Sequence, residues 1–230
     1  MEYAAVAQSG RAPEVARVRG RSPLSSNLNI RIGSKEFNEF YGIMIGDGTV
    51  HHSFNCRYFF TIAEGDEEYA LYIANLIKAL INKEPKLKFR SKAYRIEFKS
   101  KHLFNIVTSL GFPIGRKSST ISIPLELMKG KYVNWLIRGI FDTDGSIFFS
   151  SKPGIANYPT LEITSKSLTL LKQIKDLLRR KYDITSHVRK SDKAYKIAIY
   201  GRKELAKWIK FINSSHRRKL WLLARAIRRS

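Results

Sequence analysis

A nine-residue segment occurs twice in this chain, and the repeat limits the possible folds more than any other feature. Phe40–Gly48 reads FYGIMIGDG and Ile137–Gly145 reads IRGIFDTDG. Both copies have Gly third, Asp eighth and Gly ninth, and matching positions such as Gly42 and Gly139 lie 97 residues apart. A single Asp-Gly pair after a helix is often only a turn. Two copies in one frame, each after an apolar helix, favour a shared function.

The order of helices and strands repeats together with this segment. Apolar spacing predicts a helix, two strands, a helix, two strands and a helix in each copy. The elements of the first copy are predicted near 36–46, 49–54, 57–63, 66–80, 86–91, 94–99 and 101–110. Those of the second are predicted near 132–143, 146–151, 160–164, 167–181, 184–189, 194–200 and 203–213. The sequence therefore predicts an α+β protein with two αββαββα halves related by a pseudo-twofold axis.

The repeat divides the chain into five predicted segments. They are a basic N-terminal arm (1–33), a first half (34–112), a linker with Pro and Gly (113–131), a second half (132–214) and a basic C-terminal helix (215–230). In the C-terminal helix, we expect an apolar stripe to face the protein, formed by Leu220, Leu223, Ala224 and Ile227.

The charge of the chain restricts its partners. Lys and Arg number 42 against 19 Asp and Glu, a formal net charge of +23, while 43% hydrophobic residues provide a folded core. A folded protein this basic is typical of nucleic-acid binding. No stretch of about 18 uncharged apolar residues occurs, so no membrane partner is expected. The single cysteine, Cys56, favours an intracellular protein of an archaeal cytoplasm or an organelle.

The repeated Gly and Asp are costly in a helix and need a reason. Gly in a helix loses about 1 kcal/mol relative to Ala, so we expect Gly42 and Gly139 to face each other where two helices pack closely. The helix dipole disfavours an Asp at the carboxyl end. Two such acids, Asp47 and Asp144, would repel each other unless divalent cations lay between them. Carboxylate ligands of this kind suit Mg²⁺.

These residues resemble the paired motifs of the LAGLIDADG homing endonucleases, in the form with two motifs in one chain. The resemblance covers about residues 34–214. The second motif is close to the family pattern, whereas the first has Ile45 at the sixth position, where the family usually has Asp. In the family the eighth-position acid binds metal and the sixth is mainly structural, so this departure casts little doubt on activity.

The resemblance implies a saddle of β-ribbons over double-stranded DNA, in a monomer with internal pseudo-symmetry. It also implies Mg²⁺-dependent hydrolysis of both strands of a long, asymmetric site, with Asp47 and Asp144 as catalytic metal ligands. The residues that precede these acids, Gly46 and Thr143, are included in the expected metal site.

The family places a Lys near the end of the last strand of each half, and this implies two further catalytic residues. Lys101 and Lys203 occupy related positions just before the last helix of each half. A solvated Lys at a helix start is the alternative for both. Three rival cations are Lys99, Lys166 and Arg202.

Strand patterns predict a DNA-binding face. Period-two alternation places Lys86, Lys88, Arg90 and Lys92 on one side of a strand. The next strand adds Arg95 and Lys99, and the second half adds His187 and Arg189. A polar two-stranded ribbon fits the major groove of DNA, although an ordinary solvated sheet face is the alternative.

The predicted function is a site-specific double-strand DNA endonuclease. The sequence starts MEYA and ends AIRRS, without the Cys and His-Asn-Cys of protein splicing, so a free-standing, intron-encoded enzyme is expected. One alternative is a maturase that binds intron RNA, and another is a catalytically inactive DNA-binding protein on the same fold. The intact acids Asp47 and Asp144 argue against the inactive protein but not against the maturase.

Overall fold

The computed structural model describes residues 30–53, 57–117 and 119–228, which form an α+β protein with two four-stranded antiparallel sheets. Most of the predicted N-terminal arm, and also Cys56, lies outside the described residues. The first half comprises α1 (Lys35–Gly46), β1 (Gly48–Ser53), β2 (Arg57–Glu64), α2 (Glu67–Ile81), β3 (Lys86–Arg90), β4 (Ala93–Lys99) and α3 (Lys101–Ser109).

The second half repeats this order and follows a short helix in the linker, α4 (Leu125–Lys129), which the sequence pattern did not predict. Its elements are α5 (Val133–Asp144), β5 (Gly145–Lys152), β6 (Ile155–Ser165), α6 (Leu168–Tyr182), β7 (His187–Ser191), β8 (Ala194–Tyr200) and α7 (Gly201–Phe211). The chain then continues into α8 (Arg217–Ile227). The repeated order in both halves confirms the predicted fold class.

Short polar side chains fix where several helices begin. Ser34 Oγ accepts a hydrogen bond from the Phe37 N–H at 3.1 Å before α1. Asp66 and Ser167 cap α2 and α6 in the same way. Each cap satisfies a backbone N–H that the first turn of a helix leaves without a partner. Helices α2 and α6, which correspond in the two halves, therefore begin in the same way.

Each sheet has one apolar face and one polar face. The strand orders are β1-β2-β4-β3 and β5-β6-β8-β7. Phe60 lies opposite Phe98 in the first sheet, and Leu161 lies opposite Ile199 in the second. These side chains are buried with the helices, and because strand residues alternate between faces, the residues between them line the other side.

The hairpin between β3 and β4 corrects one predicted position. Ser91 and Lys92 have φ values of 53° and 62°, which are typical of a two-residue hairpin turn. Strand β3 therefore ends at Arg90. Lys92 does not share the strand face of Lys86, Lys88 and Arg90, because the turn interrupts the alternation.

Helices α1 and α5 pack against each other at the centre of the molecule and carry the repeated segments. A Cβ atom on Gly42 would overlap the Leu136 carbonyl oxygen and lie 3.1 Å from Gly139 Cα. A Cβ on Gly139 would overlap the Glu39 carbonyl oxygen. The two glycines therefore lie together and allow the helix backbones to approach where no side chain fits.

Helix α8 packs on the second half, but through a different stripe from the predicted one. Leu223 and Ala226 are buried, whereas Leu220 and Ile227 are 37% and 42% exposed. The helix is rotated in this way because Lys219, rather than Leu220, turns inward and binds the carboxyl end of α5. Among the helices that the structure describes, none is both long enough and apolar enough to cross a membrane.

Candidate active site

The structure brings the two repeated acids together at the carboxyl ends of α1 and α5. Asp47 caps α1, and its N–H donates to the Ile43 carbonyl oxygen at 3.0 Å. Asp144 is the last residue of α5 and is close enough for the charge of Asp47 to raise its pKa. The negative ends of two helix dipoles point to the same place as the two carboxylates, which concentrates negative charge there.

Close packing explains the glycine that follows each acid. A Cβ on Gly48 would lie 2.6 Å from Met44 Cα, and one on Gly145 would overlap Phe141. Each strand therefore leaves its helix by folding directly back over the last turn. This tight exit holds the acid before it at the end of the helix.

Gly46 and Thr143, which directly precede the two acids, touch each other. A Cβ on Gly46 would overlap the Thr143 side chain. Thr143 Oγ1 donates to the Gly139 and Ile140 carbonyl oxygens, 3.0 Å away in each case. These two residues set how closely the helix ends approach, and their role as metal ligands stays a prediction.

Both acids are harder to ionise than an ordinary Asp. Burial and the charge of Asp47 together raise the pKa of Asp144 to about 6, against the lowering effect of two lysines. The pKa of Asp47 is also raised, again because neighbouring protein displaces water. Asp47 is nevertheless exposed to solvent and Asp144 partly so, which leaves both carboxylates accessible to a ligand.

Two lysines that the sequence reasoning missed bind the ends of the motif helices. Lys117 Nζ donates to the Met44 and Gly46 carbonyl oxygens, 2.5 Å away in each case. Lys219 Nζ donates to the Phe141 and Asp142 carbonyl oxygens at 2.7 Å. Both neutralise the negative end of a helix dipole. Desolvation lowers the pKa of Lys117 to about 8 and also lowers that of Lys219, while the acids raise both.

The sequence did contain a signal for this pair. Lys101 and Lys203 lie 102 residues apart, and the same offset relates Lys117 to Lys219. Lys117 lies in the linker and Lys219 in the C-terminal helix, so both fall outside the two predicted repeats.

The structure does not bring the predicted lysines to the acids. Lys101 lies over the Tyr58 ring, 5.8 Å from its centroid, and the charge of Lys203 acts on Asp183. The cations that act on Asp47 and Asp144 are Lys117 and Lys219. The sequence pattern placed the cation before the last helix of each half, whereas the lysines that act on the acids follow that helix.

A buried polar cluster holds the segment that carries Lys219. Asp142 accepts hydrogen bonds from Ser214 Oγ at 2.5 Å and from the Ser215 N–H at 2.7 Å. Ser215 Oγ in turn donates to Glu39 on α1. Burial raises the pKa of Asp142 to about 7. The segment just before α8 is therefore hydrogen-bonded to both motif helices.

The polar face of the first sheet carries most of the predicted DNA-binding residues. Lys86 pairs with Glu97, and Lys88 pairs with Arg95 across the strands. Directly opposed residues share a face, so these side chains lie together with Arg90 and Lys99, away from the core. Lys88 Nζ also lies 3.4 Å from a Glu97 oxygen, which offsets part of its charge.

The corresponding face of the second sheet is less basic. His187 and Arg189 lie on it, as predicted from alternation, together with Lys196. Glu162 is only 3% exposed, and its two oxygens bind Arg189 at 2.5 Å and Lys196 at 3.1 Å. Two of the cations on this face therefore already have an internal counter-ion.

The carboxylates of Asp47 and Asp144 fit a divalent cation only if substrate phosphate and water supply its remaining ligands. Within the described residues, no group of three or more His, Cys, Asp and Glu side chains could hold a metal. Two accessible carboxylates with raised pKa values do favour a cation between them. Mg²⁺ and similar ions commonly bind one or two protein carboxylates, with phosphate oxygens and water as the other ligands.

Comparison with protein families gives one match in each half. Residues 37–113 match the WhiA LAGLIDADG-like domain, and residues 131–213 match the LAGLIDADG-like domain. Each range contains one repeated segment and the helices and strands around it, although the first range begins two residues inside α1.

The chain is also similar to parts of longer proteins. It is 28% identical over 199 residues to the probable translation initiation factor IF-2 of Thermococcus kodakarensis, across 84% of this chain and 16% of that protein. It is 32% identical over 117 residues to the replication factor C small subunit of Methanocaldococcus jannaschii, across 50% of this chain and 6% of that protein. The chain thus spans a sixth or less of these curated relatives.

Solved structures share the fold at low sequence identity. I-DmoI in complex with DNA and Ca matches with a TM-score of 0.61 and 15% identity, over 85% of this chain and all of that one. I-WcaI bound to its DNA recognition sequence matches with 0.59 and 15%, over 81% and 86%. Full-length DUF199/WhiA from Thermotoga maritima matches with 0.54 and 17%, over 87% and 62%. Two matched domains and a shared fold thus identify the chain as a member of the LAGLIDADG family, with both motifs in one polypeptide.

Proposed function

We propose that this protein is a site-specific endonuclease that hydrolyses both strands of duplex DNA with a divalent metal ion. One observation carries the proposal. Asp47 and Asp144 meet at the ends of two packed helices, and a lysine binds each helix end. A structural role alone does not account for two accessible, mutually repelling carboxylates at the negative ends of two dipoles.

The proposed reaction is hydrolysis of one phosphodiester bond in each strand. A bound divalent metal would polarise the phosphate and lower the pKa of a water ligand. Asp47 and Asp144 would hold that ion, with Gly46 and Thr143 beside it. Water oxygen adds to phosphorus, the bond from phosphorus to the 3′-oxygen breaks, and a proton reaches the leaving 3′-oxygen while the new oxygen stays on the 5′-phosphate.

Lys117 and Lys219 would stabilise the charge that develops during this reaction. Both ammonium groups are fixed by two carbonyl oxygens and lie near both acids. A fixed cation in a partly desolvated site stabilises a transition state without reorganisation. These lysines replace Lys101 and Lys203 in the proposal.

Duplex DNA is the proposed substrate because the polar sheet faces carry cations in a protein of net charge +23. We assign Lys86 to phosphate contact and Arg90 to base reading, since only the planar guanidinium matches guanine O6 and N7 with two bonds. His187 and Arg189 would face the other half of the site, with Arg189 held by Glu162 rather than by a phosphate. The homing endonucleases I-DmoI and I-WcaI are bound to DNA on this fold, which supports the substrate.

Several finer points belong to the same proposal. Mg²⁺ is the proposed ion, and structures of I-DmoI with DNA contain Mn or Ca, which supports a divalent metal. A monomer is proposed because both motifs lie in one chain. Homing is proposed because similar segments occur in small parts of two proteins whose names share no function. That distribution suits a module that moves independently of its host.

A DNA-binding protein without nuclease activity is the second candidate. It is favoured by the match of the first half to the WhiA LAGLIDADG-like domain. The maturase alternative has no comparable observation in its favour.

A cleavage selection separates the two candidates. A plasmid library with randomised inserts is incubated with the protein and Mg²⁺, and linear products are sequenced across the cut. We expect a long, asymmetric consensus that is cut by the wild-type protein and is bound but not cut by Asp47→Asn. Binding to a consensus without any cut in Mg²⁺ or Mn²⁺ would support the second candidate instead.

A further inference from the structure

The turns that follow β2 and β6 are built alike and lead into corresponding helices. Glu64 Oε1 accepts a hydrogen bond from the Asp66 N–H at 2.9 Å. Ser165 Oγ accepts the same bond from the Ser167 N–H at 3.2 Å. Asp66 and Ser167 then cap α2 and α6. Glu64 and Ser165 lie 101 residues apart, as do Asp66 and Ser167. By the same offset, Gly65 corresponds to Lys166.

The two turns carry opposite charge. We call Glu64 and Gly65 the acidic flank, and Ser165 and Lys166 the basic flank. The hydrogen bond to the turn needs only an oxygen atom, which Ser165 supplies without charge. The Glu64 charge and the Lys166 charge are therefore not required for the turn itself, and together they make the flanks differ by two charge units.

Each flank lies beside one of the two catalytic acids. The charge of Asp47 acts on Glu64, and the charge of Glu64 acts on Lys219. On the other side, Lys166 and Ser165 line a crevice of about 260 Å³ together with Asp144 and Lys117. Lys166 also lines a neighbouring crevice with Arg116 and Lys117. The pseudo-twofold axis that relates the acids thus relates an acidic flank to a basic one.

We propose that the enzyme cuts its two DNA strands in a fixed order, with the strand whose scissile phosphate lies at the basic flank cut first. The proposal rests on the endonuclease function proposed above. Negative charge grows on the phosphate during hydrolysis, so Lys166 lowers the barrier for one strand and Glu64 raises it for the other. A difference of two charges near a partly screened site corresponds to about a tenfold difference in rate.

The order is measured on a duplex that contains the selected site, with a different fluorophore on each strand. Single-turnover cleavage in Mg²⁺ gives one rate constant per strand, and a nicked intermediate should accumulate. Lys166→Met removes one of the two charges, so it should slow the faster strand about threefold and leave the slower strand unchanged. Glu64→Gln keeps an oxygen for the turn and should speed only the slower strand. Lys172→Met, which removes an exposed charge on α6, is the matched control and should change the rate constant of neither strand.

Exchange of the flanks gives the sharpest test. A variant with E64S, G65K, S165E and K166G should reverse which strand is cut first on the same duplex. Gly65 accepts a side chain, because a Cβ there has no atom within 4 Å and its φ is not left-handed. The two single variants keep the test decisive if the fourfold variant does not fold.

The possible outcomes separate the two proposals. Equal strand rates in the wild type would overturn the fixed order while the endonuclease function stands. Strand rates that neither the flank exchange nor Lys166→Met alters would do the same. A wild-type protein that cuts no duplex would overturn both proposals.

Discussion

The two halves differ most at the sixth position of the motif, and the difference explains what that position does. Ile45 in the first half is 3% exposed and belongs to the apolar core. Asp142 in the second half is equally buried but accepts hydrogen bonds from Ser214 and Ser215. The offset of 102 residues that relates Lys117 to Lys219 also relates Ser214 to Phe112, which is buried in the same core as Ile45.

Each sixth-position residue therefore matches the segment that carries the lysine of its own half. An apolar Ile suits a segment with Phe112, and a carboxylate suits a segment with two serines. Both arrangements place an ammonium group on the last carbonyl oxygens of a motif helix. The acid at the sixth position is thus replaceable, whereas the acid at the eighth position is present in both halves.

The largest expected effect tests whether the eighth-position acids are equivalent. Asp47→Asn and Asp144→Asn should each lower the rate of double-strand cleavage by about 1000-fold or more, since each would remove a charge from the proposed metal site. DNA binding should stay within about threefold, because neither change removes a cation. Cleavage at wild-type rate by either variant in saturating Mg²⁺ would refute the assignment.

The next effect tests the helix contact on which the pseudo-symmetry depends. Gly42→Leu and Gly139→Leu should each lower the free energy of unfolding by about 3 kcal/mol or more, since a side chain would overlap backbone atoms of the facing helix. Gly65→Ala is the control, because its Cβ would meet open space. Urea unfolding that gives equal midpoints for Gly42→Leu and Gly65→Ala would contradict the close contact.

The repeat explains how much of this arrangement the sequence could predict. Period and spacing gave the element order and the positions of Asp47 and Asp144, because these depend on local chain geometry. Lys117 and Lys219 depend on where the linker and α8 fold back, and no local period encodes that path. Lys92 was misplaced for a related reason, since strand alternation continued through it while the turn geometry did not.

A third effect asks whether the missed lysines act alike. Lys117→Met and Lys219→Met should each lower the cleavage rate about 100-fold, as expected for loss of one fixed charge at a transition state. Lys101→Met and Lys203→Met should change it less than threefold, because neither charge acts on the acids. If the second pair proved the more damaging, the sequence-based assignment would be restored.

A fourth effect uses pH to separate the two sixth positions. The pKa of Asp142 is raised to about 7 in the folded protein, so the native state binds this proton more tightly than the unfolded chain does. Its contribution to stability is therefore present at about pH 4 and is lost as pH rises towards about 7. The free energy of unfolding of the wild type should therefore fall by on the order of 2 kcal/mol between about pH 4 and 7 because of Asp142, and Asp142→Asn should abolish this fall.

The measurement is urea unfolding of both proteins at several values between pH 4 and 8. Asp176→Asn, an exposed acid on α6, is the control and should leave the wild-type profile unchanged. The first half has no titrating group at this position, since Ile45 replaces the acid. Parallel profiles for wild type and Asp142→Asn would mean that Asp142 is ionised throughout the range.

The smallest expected effect compares the two DNA-binding faces. Lys86 lies on the more basic first face, and if it neutralises one phosphate, Lys86→Ala should reduce the log–log salt slope of binding by about 0.9 and weaken all DNA sequences alike. Arg189 is held by the buried Glu162, which also binds Lys196. A phosphate contact from Arg189 would have to break this ion pair, so Arg189→Ala should change the slope by less than about 0.3.

The two slopes are measured by binding titrations between about 50 and 200 mM salt, on the selected site and on an unrelated duplex. Equal reductions for the two variants would show that Arg189 exchanges Glu162 for phosphate on binding, and the second face would then contact DNA as strongly as the first.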